Sequence, residues 1–69
     1  MNRADVEVIV RSVMREYGIQ SEIRHVALFA REWKIELVNI DGVTETLTIF
    51  DGSPQNFRRS VMAALDLEV

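Results

Sequence analysis

Between Trp33 and Phe50 the chain alternates apolar and polar residues on either side of a short break, Asn39-Ile40-Asp41-Gly42. Trp33, Ile35 and Leu37 are interleaved with Lys34 and Glu36. Leu47 and Ile49 are interleaved with Thr44, Thr46 and Thr48. Successive side chains of a strand point to opposite faces, so this period predicts two strands, each with one buried face. The break decides how they pair. A two-residue loop at Asp41-Gly42 would set Ile35 opposite Thr48 and Glu36 opposite Leu47, mixing apolar and polar residues on both faces. A type I turn from Asn39 to Gly42, with Gly42 left-handed in a G1 bulge, makes a three-residue loop instead. Ile35 then faces Leu47 and Trp33 faces Ile49, while Lys34, Glu36, Val38, Thr44, Thr46 and Thr48 line the other side. Only this second register separates an apolar face from a polar one, and it is the register expected.

The pattern changes period at both ends of the chain. Val6, Ile9, Val10, Val13, Met14 and Tyr17 recur at helical spacing, which predicts an amphipathic helix over Asn2 to Tyr17. Asn2 is placed to cap it, Asp5 lies in the first turn where the helix dipole favours an anion, and Gly18 followed by Ile19 suits a Schellman end. Glu7 and Arg11 stand four apart in the favourable order. At the other end, Ser53 is an N-cap with Pro54 at the first helical position. Phe57, Val61, Ala64 and Leu65 follow as a buried stripe, flanked by Met62.

Ser21 to Arg31 is ambiguous, since Ile23, Val26, Ala27, Ala30 and Trp33 also follow a helical period that Ser21 could cap. As a strand, Ile23-Arg24-His25-Val26-Ala27-Leu28-Phe29 carries apolar residues on both faces. As a helix it would run into Trp33 with nothing at Ala30-Arg31-Glu32 to stop it. A strand is expected, because a lone hairpin is marginal and a third strand completes a usable sheet. Its register is left open by the residues, with Val26 and Leu28 expected inward. The fold class that results is α+β, in the order α-β-β-β-α, with a three-stranded antiparallel sheet and both helices on its one apolar face. The expected core joins Trp33, Ile35, Leu37, Leu47 and Ile49 to Ile9, Val13, Met14, Phe57, Val61 and Leu65.

Size and charge narrow the function classes. At 69 residues the chain is expected to form one small domain, residues 1–69, whose stability is marginal without help. It has no cysteine, which excludes disulfides and thiolate zinc sites and leaves self-association as a common remedy. A formal net charge of −3 runs against a generic binder of nucleic acid or anionic membrane. No apolar run is long enough for a membrane span, and the first residues lack the apolar stretch of a signal peptide, so a cytoplasmic location is expected. The basic side chains are seven arginines and a single lysine, which hints at a bacterial, GC-rich source.

Candidate chemistry is thin. Nucleophilic catalysis needs an activated Ser, Cys or Lys beside a base, and Ser12, Ser21, Ser53 and Ser60 have none at a recognisable spacing. His25 is the lone histidine and reads as a surface strand residue rather than a general base. Asp41-Gly42 and Asp51-Gly52 are turn residues without the flanking ligands of a calcium loop, and the three glycines form no phosphate loop. No enzyme activity, cofactor or metal is expected.

Two surfaces remain. The open face of the sheet would carry one of the two sets of the first strand beside Val38, Thr44, Thr46 and Thr48. With His25, Ala27 and Phe29 on that side, the face holds an apolar patch rimmed by polar groups, the usual mark of an interaction surface. A homodimer through this face or the edge of the first strand is therefore expected, with any further protein partner unidentified. The second surface is basic: Arg11 and Arg15 on the first helix, Arg58 and Arg59 near the start of the last. With these arginines, the element order resembles the double-stranded-RNA-binding domain. That resemblance implies RNA contact through the first helix and the start of the last. The chain departs from the family in having no lysine in Pro54-Gln55-Asn56-Phe57-Arg58-Arg59, no Gly-Pro-x-His stretch and an acidic balance. A non-catalytic protein-protein interaction module is thus the first expectation, and an RNA- or DNA-binding accessory protein the second.

Overall fold

The structure, a computed structural model, describes residues 1–67. The elements follow in the order α1 (Arg3–Glu16), β1 (Ser21–Phe29), β2 (Glu32–Asn39), β3 (Thr44–Phe50) and α2 (Pro54–Ala64). The strands form an antiparallel sheet with β2 in the centre. α1 packs on β1, α2 packs on β3, and the helices touch each other. One cluster of buried side chains fills the layer between helices and sheet. The α-β-β-β-α arrangement is the one the hydrophobic pattern predicts.

Both helices begin as their sequences dictate. The Asn2 side chain accepts the Asp5 N–H at 2.9 Å, and the Asp5 carboxylate accepts the Asn2 N–H at 3.1 Å. This is a reciprocal capping box with Asp in the place more often held by Glu. At the far end Gly18 has φ +68°, the Ile19 N–H reaches the Met14 carbonyl at 2.8 Å, and the Gly18 N–H reaches that of Arg15 at 3.3 Å. These are the paired bonds of a Schellman end. For α2, Ser53 Oγ accepts the Asn56 N–H at 3.2 Å, with Pro54 opening the helix. α2 also closes in Schellman fashion, but with Asp66 in the left-handed position (φ 60°) and the Leu67 N–H on the Met62 carbonyl at 2.9 Å.

The β2–β3 hairpin has the expected register: Ile35 opposes Leu47 and Trp33 opposes Ile49. The Gly42 N–H donates to the Asn39 carbonyl at 3.0 Å, and Gly42 sits at φ +82°. The Asn39 side chain adds two bonds, accepting the N–H groups of Asp41 and Val43 at 2.9 and 3.0 Å. The loop is therefore held by its own residues.

β1 answers the question its sequence leaves open. Its pairing with β2 slips between Ile23, opposite Leu37, and His25, opposite Glu36. Arg24 is the extra residue of a β-bulge, and a bulge shifts the in/out phase of everything after it. Ile23 before the bulge and Val26 after it therefore both face the helices, while His25, Ala27 and Phe29 face away. A regular strand cannot place residues three apart on one side, hence the mixed appearance of the segment. Leu28 also lies on the inward side, opposite Trp33, but stays 50 % exposed at the sheet edge in the last row before the turn.

That turn is made by Ala30 and Arg31, with φ of 50° and 68°. A two-residue hairpin loop with both central φ positive is a type I′ turn, a conformation usually built from Asn and Gly. Side chains with a Cβ are held there at a cost on the order of 1 kcal/mol or more each. Asp51 clasps the turn from outside. Its N–H donates to the Arg31 carbonyl at 2.8 Å, and its carboxylate accepts Trp33 Nε1–H at 3.0 Å.

The core is close to the expected one. Val6, Val10, Val26 and Met62 join Trp33, Ile35, Leu37, Leu47, Ile49, Val13, Met14, Phe57 and Val61 as buried residues. Ile9 and Leu65 are half-buried at its border rather than inside it. Fully burying a side chain of this kind is worth about 1.5–3 kcal/mol.

Candidate interaction surface

With both helices on one side, the sheet's other side is left uncovered by the described residues. Four cross-strand rows make it up. From the β1–β2 turn onward they are Phe29–Glu32–Phe50, Ala27–Lys34–Thr48, His25–Glu36–Thr46 and Glu22–Val38–Thr44. The seven residues expected from the sequence at an interface (His25, Ala27, Phe29, Val38, Thr44, Thr46 and Thr48) are all on this face, with Lys34 and Glu36 among them. The bulge at Arg24 is what brings the first three there.

The face has a further apolar member, Phe50, that the alternation as read in the sequence leaves out. Phe50 continues the outward phase of Thr46 and Thr48 and is 71 % exposed, beside Phe29 at 70 %. The alternation that assigns the threonines outward also assigns Phe50; its place as the last residue of the strand hides it. The two rings flank Glu32 in the row nearest the turn. At the opposite end of the sheet, the exposed Ile40 of the β2–β3 loop borders a hollow with Glu22 and Val38. The face thus carries apolar groups at its two ends, Phe29 and Phe50 at one and Val38 with Ile40 at the other. Between them lies a charged centre, with Lys34 and Glu36 next to each other on the middle strand.

The four arginines do not converge. Arg11 and Arg15 border an open groove of about 530 Å³ between α1 and the start of β1, together with Ser21 and Glu22, over Met14, Ile19 and Ile23. Arg58 and Arg59 border a smaller hollow of about 240 Å³ on α2 with Gln55 and Met62. Two of them already have carboxylate partners. Arg11 lies 3.3 Å from Glu7, the pair expected from their spacing, and Arg58 donates to Glu16 at 2.7 Å, tying α2 to the end of α1. Both pairs are partly solvent-exposed, where such contacts are worth about 0–1 kcal/mol.

Among the described residues, no three His, Cys, Asp or Glu side chains gather as a metal site would require, and no helix is long and apolar enough to cross a membrane. Comparison with protein-family models, with curated proteins and with solved structures finds no match.

Proposed function

We propose that this chain is a small cytoplasmic, non-catalytic interaction module that pairs with a second copy of itself through the open face of the sheet. The observation that carries this reading is the Phe29–Glu32–Phe50 row, where two aromatic rings stand about seven-tenths exposed on one surface. Isolated exposed apolar residues are ordinary, but paired aromatics on an uncovered sheet face are the kind of anchor that interfaces use. Size argues the same way, since a domain this short without disulfides gains stability by burying more surface. Twofold pairing is the commonest way for a chain to do so with its own surface.

The face is small, so the dimer should be reversible, with a total interface below ~1,200 Å². Sedimentation equilibrium at tens of micromolar tests it: the expected mass is that of a dimer, falling towards the monomer in Phe29→Glu and Phe50→Glu. A monomeric wild type defeats the proposal. A dimer that persists in both variants moves the interface off this face. Retention on heparin, reversed by salt, would instead favour nucleic-acid contact through Arg11, Arg15, Arg58 and Arg59.

A further inference from the structure

We infer that the two copies meet about a twofold axis that crosses the strands midway between Lys34 and Glu36, setting Lys34 of each copy against Glu36 of the other. This rests on the open-face pairing above and adds its geometry.

The charge order along the centre of the face selects the axis. β2 presents Glu32, Lys34, Glu36 and Val38 to the open side, one per row. When two identical faces stack, the twofold axis lies in the plane between them. An axis parallel to the strands and centred on the three-stranded face would set β2 on β2 with every residue opposite its own copy, Glu32 on Glu32 and Lys34 on Lys34. An axis across the strands through the Lys34 row sets Glu32 on Glu36. An axis through the Glu36 row sets Glu36 on itself. Like charges placed face to face oppose association and exclude a register. An axis between the Lys34 and Glu36 rows removes every such clash on this strand. Lying midway along the four rows, it overlaps them all, whereas an axis between the Glu32 and Lys34 rows leaves the Glu22–Val38–Thr44 row uncovered. The central axis makes two symmetric Lys34–Glu36 pairs and sets Glu32 over Val38.

At the ends of the face this axis sets Phe29 over Glu22, Glu32 over Val38 and Phe50 over Thr44, so the end rows meet without like charges rather than apolar on apolar. An axis across the strands reverses strand direction, so the Phe29–Phe50 end of one copy lies over the Val38 end of the other. That is also the end where the exposed Ile40 borders Val38 and Glu22. The threonines of β3 then meet threonines, Thr48 over Thr46, and Ala27 lies over His25. The natural angle of about 30° between packed sheets leaves this pairing in place at the centre of the face and loosens it only at the corners.

Charge swapping tests the axis separately from the dimer. Lys34→Glu sets carboxylate against carboxylate at both symmetric pairs, and Glu36→Lys sets ammonium against ammonium at both. Each variant alone should raise the dissociation constant about tenfold or more. Mixed in equal amounts, the two should recover association as a heterodimer, and the doubly swapped K34E/E36K chain should dimerise like the wild type. Circular dichroism melts establish that each variant is folded. Raising salt should weaken the wild-type dimer and narrow the gap to the single variants. If the wild type dimerises while single reversals leave the constant unchanged, or if the mixture recovers nothing, the axis is elsewhere and the inference fails, with the open-face reading still standing on Phe29 and Phe50. If the wild type is monomeric, the open-face reading itself has failed.

Discussion

The two hairpins share the central strand yet are built on opposite principles. In β2–β3 the loop makes its own bonds. Asn39 accepts two N–H groups with its side chain and one with its carbonyl, and Gly42 takes the positive φ without strain. In β1–β2 the loop works against its own residues. Ala30 and Arg31 both occupy the left-handed region, and the bonds that fix the turn come from Asp51, across the sheet at the end of β3. One hairpin is specified locally; the other is held in place by what packs around it. The lesson is that a turn without turn residues is stable when its strands have a core to bury and a neighbour to clasp it.

The strongest way to break this contrast is to attack the residue both hairpins share. Ile35 is fully buried, opposite Val26 in one hairpin and Leu47 in the other. Ile35→Ala should cost about 2–5 kcal/mol, comparable to the whole stability of a small domain. In urea, Trp33 fluorescence and far-UV circular dichroism should report a single coincident transition. Two separated transitions would show that the self-specified hairpin stands without the other.

A smaller effect is expected at the locally built loop. A Cβ at Gly42 would meet nothing within 4 Å, so the cost of Gly42→Val comes from backbone strain alone. It should be about 1 kcal/mol or more, and Asp41→Ala should cost much less. A midpoint in urea unchanged by Gly42→Val would remove the distinction between the loops.

The smallest effect has the opposite sign. Replacing Ala30-Arg31 by Asn-Gly supplies the pair that a type I′ turn prefers, and should raise stability by about 0.5–1 kcal/mol. The gain is less than the strain relieved, because glycine also frees the unfolded chain. A double variant no more stable than the parent would mean that the clasp by Asp51 already leaves the turn unstrained.

The candidate surface is legible in the sequence to the same degree as the hairpins. Val38, Thr44, Thr46 and Thr48 follow from the alternation once Gly42 is given its bulge. His25, Ala27 and Phe29 can be named only as one of two possible sets, since nothing within β1 says which side is inward. Phe50 escapes because a residue at the end of a run reads as a boundary. The arginines are visible as residues but not as partners: nothing in sequence spacing links Arg58 to Glu16, which meet because α2 packs beside the end of α1.

What the sequence determined by itself is therefore whatever depends on neighbours along the chain. The helix caps at Asn2 and Ser53, the stop at Gly18, and the β2–β3 register all rest on bonds and periodicities that span a few residues, and those are written in the order of the amino acids. Tertiary structure alone decided the bulge at Arg24 and the turn at Ala30-Arg31. Both are local departures from the favoured geometry, and their compensation is non-local. Shifting phase at Arg24 lets Ile23 and Val26 reach the same core, and bending at Ala30-Arg31 brings Leu28 opposite Trp33 and the turn within reach of Asp51. A short segment cannot reveal a conformation whose stabilising contacts lie elsewhere in the chain.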